Sequence, residues 1–172
     1  MPKLETLISE QEVQQKVAEL AKRISGDYGD ESILLVGVLK GSYLFLADLV
    51  RHLGENVEVD FVQVSSYGDG TKSSGIVQIR KDLDISIEGR NVLIVEDILD
   101  TGLTLKHLRE LLGTRRPKSL KVVTLLSKPA ANLYGGTAEY VGFEIPDKFV
   151  VGYGLDHAER YRNLPYIAVL HI

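Results

Sequence analysis

The sequence predicts an α/β fold with a mostly parallel β-sheet covered by helices on both faces. Short apolar runs, many of them β-branched, alternate along the chain with segments of helical periodicity. Glycine and polar residues separate these segments, as is typical of the turns that connect strands to crossover helices. Ligands of such sheets bind at the carboxyl ends of the strands, so the residues that follow each strand are the first candidates for function.

Three segments have the apolar spacing and end signals of α-helices. The first is predicted over residues 9–24, where Ser9 and Glu12 form a capping-box pattern and Gly26 is the expected end signal. The other two helices are predicted over residues 43–53 and 103–112, each followed directly by a glycine.

The strands are predicted from β-branched apolar runs and from apolar–polar alternation. Residues 66–75 are rich in glycine and serine and contain no apolar aliphatic residue. This composition predicts a mobile loop that acts as a lid, in preference to a disordered linker. With 172 residues and no linker-like tract, the chain is expected to form one domain over residues 1–172. The predicted strands cover residues 33–38, 57–65, 76–81, 91–95, 120–127, 140–143, 149–153 and 166–170.

Composition excludes several classes of protein. Hydrophobic residues at 44% and charged residues at 26% are incompatible with a disordered tail or a coiled coil, and the lack of cysteine excludes disulfides and thiolate zinc sites. The formal net charge of −4 argues against nucleic-acid binding and, taken alone, against a phosphate-rich ligand. Neither a signal peptide nor an apolar run of membrane-spanning length is present, so we expect a soluble, cytoplasmic protein with no membrane partner.

Several common catalytic motifs are also missing. The chain has no P-loop pattern, no G-x-S-x-G elbow and no H-x-x-x-H pair. Gly152 and Gly154 begin a G-x-G pattern, but His157 stands where G-x-G-x-x-G requires the third glycine.

An acidic segment follows the predicted strand 91–95. Glu96, Asp97 and Asp100 place three carboxylates within five residues, an arrangement that a hard cation such as Mg²⁺ would stabilise. Residues 101–104, T-G-L-T, then enter a helix whose free N–H groups and hydroxyls can bind a phosphate. The combination favours a phosphorylated sugar as ligand. The alternative is that Asp100 or Thr101 caps the helix and the other acids are solvated.

The run V-E-D-I-L-D-T-G-L-T resembles the phosphoribosyl pyrophosphate signature of type I phosphoribosyltransferases. Five further blocks resemble the hypoxanthine-guanine branch of that family, and the likeness extends over nearly the whole chain from residue 33. It implies a type I phosphoribosyltransferase fold with a twisted parallel sheet, a small hood and a flexible lid loop. The five blocks are residues 39–42, 65–68, 127–129, 146–156 and 161–166.

The resemblance implies a purine salvage enzyme. Its expected reaction is the Mg²⁺-dependent transfer of phosphoribose from 5-phosphoribosyl 1-pyrophosphate to hypoxanthine or guanine, which gives IMP or GMP and pyrophosphate. Members of the family are usually dimers or tetramers, so a homodimer or homotetramer is expected.

The resemblance also assigns roles to residues around the acidic segment. Asp100 is expected to be the general base that takes the purine N7 proton, a role that helix capping does not exclude. Leu103 departs from the polar residue often found at its position in the family, but there the backbone makes the contact. The expected ribose and 5′-phosphate site contains Glu96, Asp97, Asp100, Thr101, Gly102, Leu103 and Thr104.

Other blocks carry the expected pyrophosphate, purine and metal sites. The Lys40–Gly41 peptide lies in a loop that is often cis in the family, although a lone Lys40 would be read as a solvated turn residue. Lys128 is expected to read the purine O6, and Phe149 to stack on the base unless it packs in the core. The expected pyrophosphate ligands are Lys40, Gly41, Ser66, Tyr67 and Arg162. The expected purine ligands are Lys128, Phe149, Val150 and Asp156, and the expected Mg²⁺ ligands are Glu96, Asp97 and Asp156.

Two alternatives come from other classes of protein. A phosphoribosyl-pyrophosphate-sensing RNA-binding regulator would use a basic surface, for which residues 114–121 are the best candidate. A phosphoacceptor signalling domain also gathers acids at strand ends, but it leaves the blocks around Lys40, Tyr67 and Arg162 unexplained.

Overall fold

A computed structural model describes residues 2–67 and 76–172, without the side chains of residues 66, 67 and 76. The expected lid loop therefore lies largely outside the described residues. The strands are β1 (Lys3–Ile8), β2 (Ile33–Leu39), β3 (Val57–Tyr67), β4 (Ile76–Lys81), β5 (Asn91–Leu99), β6 (Ser119–Ser127), β7 (Tyr140–Glu144), β8 (Val150–Val151) and β9 (Ile167–His171). The helices are α1 (Glu10–Tyr28), α2 (Tyr43–Arg51), α3 (Leu103–Gly113) and the short 3-10 helix Pro129–Ala131.

The main sheet has six strands in the order β4-β3-β2-β5-β6-β7. Neighbouring strands run parallel except β4, which pairs antiparallel with β3 at one edge. The predicted α/β class with a mostly parallel sheet is confirmed. Because β2, β5 and β6 lie side by side, their carboxyl ends, and the segments that follow them, meet at one edge of the sheet.

Two apolar cores lie on opposite faces of this sheet, as the period of two along a strand requires. Along β2, Ile33 and Leu35 point into the core under α1 and α2, whereas Leu34 and Val36 point into the core under α3. All four residues are at least nine-tenths buried. Strands buried on both faces are continuous apolar runs, which is why these segments were recognisable in the sequence.

The predicted small hood is a second, antiparallel sheet with the order β1-β9-β8. Strand β1 was not predicted, because half of its six residues are exposed and its partner is the last strand of the chain. The strand expected over residues 149–153 is reduced to β8, since the chain turns at Gly152 and Tyr153 with positive φ.

Three other predicted boundaries were wrong. Helix α1 continues through Gly26 to Tyr28, which is buried in the core, and ends at Gly29. Strand β3 runs on to Tyr67, two residues into the expected loop, because β4 pairs with it there. Strand β5 continues past Val95 to Leu99, since β6 pairs with it along this stretch. Glu96 and Asp97 are therefore strand residues and not turn residues.

No helix in the described parts of the chain combines the length and apolarity needed to cross a membrane.

The inner face of α3 gives a test of the second core. Leu108 is 1% exposed, and Leu108→Ala is expected to lower the free energy of unfolding by about 2–5 kcal/mol because it leaves a cavity between α3 and the sheet. Urea unfolding followed by circular dichroism measures the loss. Lys106→Ala, at an exposed position of the same helix, is the control and is expected to stay within about 0.5 kcal/mol of the unmodified chain. Equal losses would contradict this packing.

Candidate functional site

Two adjacent carboxyl groups near the end of β5 form the floor of the site. Glu96 is 6% exposed, and Asp97 is half-buried beside it. Burial raises the pKa of Glu96 well above its ordinary value, and the negative charge of Asp97 raises it further. Burial also raises the pKa of Asp97, against the favourable charge of Arg162. Two acids with raised pKa values favour a nearby cation, because a cation offsets the cost of burying their charges.

The segment after these acids forms an anion-binding turn at the N-terminus of α3. Gly102 is the residue before the helix and has φ +86°, a left-handed conformation that favours glycine. The Asp100 carboxylate accepts from Lys128 Nζ, and the N-cap position is Gly102 with no side-chain cap, so the structure does not support the capping alternative for Asp100. The Thr101 hydroxyl accepts only a long bond of 3.4 Å from the Leu103 N–H. The N–H groups of the first turn are therefore directed toward an open cleft.

This cleft has a volume of about 240 Å³. It is lined by the residues from Glu96 to Gly102, together with Thr104 and Leu105. The expected ribose and 5′-phosphate residues thus come together in one cavity, apart from Leu103, which is buried and belongs to the helix N-terminus.

The loop from Asn132 to Gly136, which was not predicted as part of the site, packs against the turn at Gly102. The Asn132 side chain donates to the Gly136 carbonyl at 2.7 Å and accepts from the Gly136 N–H at 3.0 Å. A Cβ on Gly102 would lie 2.6 Å from Asn132 Oδ1 and 2.9 Å from the Gly136 nitrogen. Glycine at position 102 therefore serves both the turn and this close contact. The adjacent glycines at 135 and 136 were the available signal in the sequence.

Lys128 follows β6 and lies against Asp100, which follows β5. The Lys128 backbone N–H donates to the Leu99 carbonyl at 2.9 Å, and this bond fixes the residue at the strand ends. Its side chain is 7% exposed and places Nζ 3.4 Å from Asp100 Oδ2 and 3.7 Å from Asp147 Oδ1. Asp147 was not among the predicted site residues. A buried ammonium group beside a carboxylate offers a donor and an acceptor side by side.

Gly41 is packed directly on Asp97. A Cβ on Gly41 would lie 1.9 Å from Asp97 Oδ2, so no other residue fits without movement. The Gly41 carbonyl is in turn close to Gly154, whose own Cβ would lie 2.1 Å from that oxygen. Three segments far apart in the chain therefore touch at this point. The peptide before Lys40, between Leu39 and Lys40, is cis, so the cis bond lies one residue earlier than the peptide considered from the sequence.

The turn at Gly154 is anchored to α2 and to Arg162. The Tyr153 hydroxyl donates to Asp48 of α2, and burial together with this bond raises the pKa of Tyr153. Arg162 donates to the Gly154 carbonyl at 2.6 Å and lies 3.4 Å from Asp156 Oδ1. These contacts place Arg162 and Asp156 on the side of the site that Lys40 and Gly41 also border.

Glu159 is a further site residue that the sequence reading missed. Its carboxylate lies 3.3 Å from Lys40 Nζ and 3.3 Å from the Arg162 guanidinium. The two cations expected to bind pyrophosphate therefore share one acidic partner. The signal in the sequence was only a glutamate between Asp156 and Arg162, which is indistinguishable from a solvated surface residue.

Phe149 is 48% exposed, which rules out the alternative that it packs in the core. Its ring meets the edge of the His157 ring, with centroids 5.5 Å apart and an interplanar angle of 87°. The next residue, Val150, is buried in β8 and pairs with Val169. An aromatic face open to solvent beside a fixed strand suits a planar ligand.

The expected metal ligands are arranged as a pair and a single residue. Within residues 2–67 and 76–172, no group of three or more His, Asp or Glu side chains is placed to hold a metal ion. The structure thus does not bring Glu96, Asp97 and Asp156 into one ligand cluster. The remaining expected residues, Ser66 and Tyr67, end β3, and their side chains lie outside the described residues.

The basic segment required by the RNA-binding alternative is largely occupied by contacts within the chain. Arg115 pairs with Asp82 at 2.7 Å, and Lys118 pairs with Glu31. Lys121 Nζ lies 5.2 Å from the centre of the Tyr28 ring. These contacts do not favour a nucleic-acid surface at this segment.

The fold and the cleft define an α/β protein with an open site at the carboxyl edge of a parallel sheet, where a helix begins. The chain belongs to the phosphoribosyl transferase family, since the family model for the phosphoribosyl transferase domain matches residues 4–158. It is 58% identical over 164 residues to a hypoxanthine-guanine phosphoribosyltransferase of Bacillus subtilis, a match that covers 95% of this chain and 91% of that protein. A protein of the same name from Streptococcus agalactiae is 52% identical with the same coverage.

The fold also superposes on solved structures of hypoxanthine phosphoribosyltransferases. A hypoxanthine-guanine phosphoribosyltransferase from Bacillus anthracis superposes with a TM-score of 0.93 at 48% identity, over 100% of both chains. A hypoxanthine phosphoribosyltransferase from Staphylococcus aureus gives a TM-score of 0.94 at 50% identity, over 97% of this chain and 91% of that one. The resemblance stated from the sequence is confirmed.

The contact between Gly154 and Gly41 gives a test with a matched control. Gly154→Ala places a Cβ at φ +99° and against the Gly41 carbonyl, whereas Gly89→Ala places one at φ +72° with no atom within 4 Å. Gly89→Ala is expected to cost about 1–2 kcal/mol of unfolding free energy. Gly154→Ala is expected to cost a further ~1–3 kcal/mol, because the backbone must move. Urea unfolding measures both, and equal losses would contradict the close contact.

Proposed function

We propose that this protein transfers the 5-phosphoribosyl group from 5-phosphoribosyl 1-pyrophosphate to hypoxanthine or guanine, with Mg²⁺, as a purine salvage enzyme. The Lys128–Asp100 pair carries the proposal. A 6-oxopurine base presents O6 and N7 on one edge, and a buried ammonium 3.4 Å from a carboxylate matches an acceptor beside an N7–H donor. Adenine has an amino donor at that edge, which would face the Lys128 ammonium unpaired.

In this proposal, the purine lies on the exposed Phe149 ring. The backbone of Val150 borders the base edge, and Asp156 lies near the purine on the side of Arg162. The half-exposed state of Phe149 supports stacking, since a ring that is solvated without ligand gains apolar contact when a base covers it.

The ribose 5-phosphate part of the substrate fits the cleft at the start of α3. Backbone N–H groups and hydroxyls of Thr101, Gly102, Leu103 and Thr104 would bind the phosphate, helped by the helix dipole. Glu96 and Asp97 would bind the ribose hydroxyls. The absence of a side-chain cap at Gly102 supports this role, because these donors are left for a ligand.

Lys40, Gly41, Arg162 and the segment at Ser66 and Tyr67 would bind the pyrophosphate. Lys40 supplies a point charge, and the planar guanidinium of Arg162 suits phosphate oxygens. The close packing of Gly41 on Asp97 supports a joint site for pyrophosphate and metal.

Glu96, Asp97 and Asp156 fit Mg²⁺, although the described residues hold no three-ligand cluster. This ion commonly uses one or two carboxylates and completes its shell with water and substrate phosphates. Glu96 and Asp97 would serve one ion and Asp156 a second. The raised pKa values of Glu96 and Asp97 support a cation there. A bound Mg²⁺ would supply positive charge beside the pyrophosphate oxygens.

In the proposed reaction, protein residues would accept a proton from the purine and stabilise the charge on the leaving group. The C1′–O bond to pyrophosphate breaks while a bond from a purine nitrogen to C1′ forms, through an oxocarbenium-like state. Asp100 accepts the proton from N7, and Lys128 holds O6. Lys40 and Arg162 stabilise the charge that develops on pyrophosphate. The predictions of a single domain over residues 1–172, a cytoplasmic location and a homodimer or homotetramer stay predictions.

A nucleobase panel tests the proposed function. With 5-phosphoribosyl 1-pyrophosphate and Mg²⁺, hypoxanthine and guanine are expected to give nucleoside monophosphate, measured by chromatography together with pyrophosphate release. Adenine and uracil are expected to react at least ~10⁴-fold less efficiently, since a donor–donor mismatch at a buried polar group discriminates strongly. Reaction with adenine or uracil and not with the 6-oxopurines would contradict the role of Lys128.

Asp100 gives a second prediction. Asp100→Asn keeps the shape but removes the base, so kcat is expected to fall by about 10²–10⁴-fold while the KM for 5-phosphoribosyl 1-pyrophosphate stays nearly constant. Steady-state kinetics measure both values. Asp147→Asn removes the other carboxylate near Lys128 and is expected to lower kcat much less. If the two variants lose activity equally, Asp100 only orients Lys128.

A further inference from the structure

Glu159 occupies the position between the two cations of the pyrophosphate half-site. Its Oε2 lies 3.3 Å from Lys40 Nζ and 3.3 Å from an Arg162 nitrogen, and its Oε1 lies 3.4 Å from the same Arg162 nitrogen. The side chain is 64% exposed, so the contact sits at the mouth of the site and not in the core. One carboxylate thus binds the donors that a pyrophosphate oxygen would need.

Arg162 contacts three protein acceptors through its terminal nitrogens, while its buried Nε–H has no partner within the described part of the chain. Besides Glu159 it contacts the Gly154 carbonyl at 2.6 Å and Asp156 Oδ1 at 3.4 Å, and its side chain is only 17% exposed. An anion that binds the terminal nitrogens of the guanidinium competes with these acceptors. The Glu159 side chain is more exposed than that of Asp156, and the Gly154 carbonyl belongs to the backbone. Glu159 is therefore the acceptor that leaves Arg162 at the lowest cost.

The backbone aims Glu159 at this position. Ala158 and Glu159 have φ values of +53° and +66°, a region that residues other than glycine seldom adopt. The Glu159 N–H donates to Asp156 Oδ2 at 2.9 Å, and His157 and Arg160 exchange backbone bonds across the turn. The turn is thus held at both sides, and the carboxylate is directed toward Lys40 rather than left free in solvent.

We propose that Glu159 is an internal counter-anion that competes with pyrophosphate for Lys40 and Arg162. The inference rests on the proposed function, since it assigns pyrophosphate to these two cations. In the empty site Glu159 keeps both cations paired. When pyrophosphate binds, the Glu159 side chain swings out. When pyrophosphate leaves, Glu159 returns to the cations and so favours release. The affinity for the leaving group is set by this competition as well as by the cations themselves.

The size of the effect follows from exposure. Ion pairs at exposed positions are weak, so the carboxylate of Glu159 lowers the affinity for pyrophosphate by a modest factor, about 3–10-fold. Because the competing interaction is electrostatic and close to solvent, the factor decreases as ionic strength rises.

The experiment compares Glu159→Gln with the unmodified chain. Gln keeps the side-chain size and the turn but removes the charge. Titration calorimetry with pyrophosphate and Mg²⁺ is expected to give a Kd about 3–10-fold lower for Glu159→Gln, and the difference is expected to shrink at high salt. In turnover assays the same variant is expected to be inhibited by pyrophosphate at lower concentrations. Glu110→Gln, which removes one exposed carboxylate from α3, is the control for net charge and is expected to bind pyrophosphate like the unmodified chain.

A second variant separates competition from a structural role. Lys40→Met removes one of the shared cations, so Glu159→Gln in that background is expected to gain less affinity than in the unmodified chain. Thermal unfolding of each variant checks that the turn is intact.

The outcomes distinguish this inference from the function on which it rests. A lower Kd in Glu159→Gln alone supports the inference. An unchanged or higher Kd in a folded Glu159→Gln, with normal binding by the unmodified chain, overturns the inference and leaves the proposed function in place. An equal gain in Glu110→Gln also overturns it, since net charge then explains the effect. Absence of pyrophosphate binding in the unmodified chain overturns both.

Discussion

The burial of two neighbouring carboxyl groups near the end of a central strand is the constraint on which the site depends. Glu96 and Asp97 extend β5 because β6 pairs alongside, and the strand holds Glu96 buried and Asp97 half-buried at the cleft. Burial raises the pKa of each, so the folded chain holds an electrostatic cost that a cation can remove. Strand β6 pairs with the backbone at Glu96, and Gly41 packs against the Asp97 carboxylate, so neighbouring segments hold both acids in place.

Close backbone packing transmits the position of the acids to the rest of the site. Gly41 contacts Asp97, Gly154 contacts the Gly41 carbonyl, and Arg162 binds the Gly154 carbonyl. The contact between Gly154 and the Gly41 carbonyl is backbone on backbone, and the Asp97 and Arg162 side chains pack against this fixed pair. A site built this way holds its anion-binding groups at fixed separations, which lowers the ordering cost when a substrate binds.

The sequence predicted those features that depend on local pattern. Continuous apolar runs identified the buried strands, and the acidic run followed by T-G-L-T located the floor and the anion-binding turn. Features that depend on distant partners were missed. Strand β1 exists because β9 pairs with it, and its exposed residues have no strong periodicity. Asn132 and Glu159 matter only because Gly102 and Lys40 lie beside them in space. The exposure of Phe149 was likewise undecidable from spacing, since an aromatic residue before an apolar strand fits a core and a binding face equally well.

The formal charge of −4 illustrates the same limit, because it counts charges without their neighbours. At the site, Lys128 is paired with Asp100, and Lys40 and Arg162 are paired with Glu159, so the cations are compensated before any ligand arrives. Burial raises the pKa values of the Glu96 and Asp97 carboxyl groups, which marks a place where positive charge is lacking. A ligand that brings phosphates together with a divalent cation would supply both signs of charge. Its phosphates would replace the Glu159 carboxylate at the two cations, and its cation would offset the charges of Glu96 and Asp97. A chain with a negative net charge can therefore bind a highly phosphorylated molecule, because the ligand interacts with the charges at the site and not with the net charge of the chain.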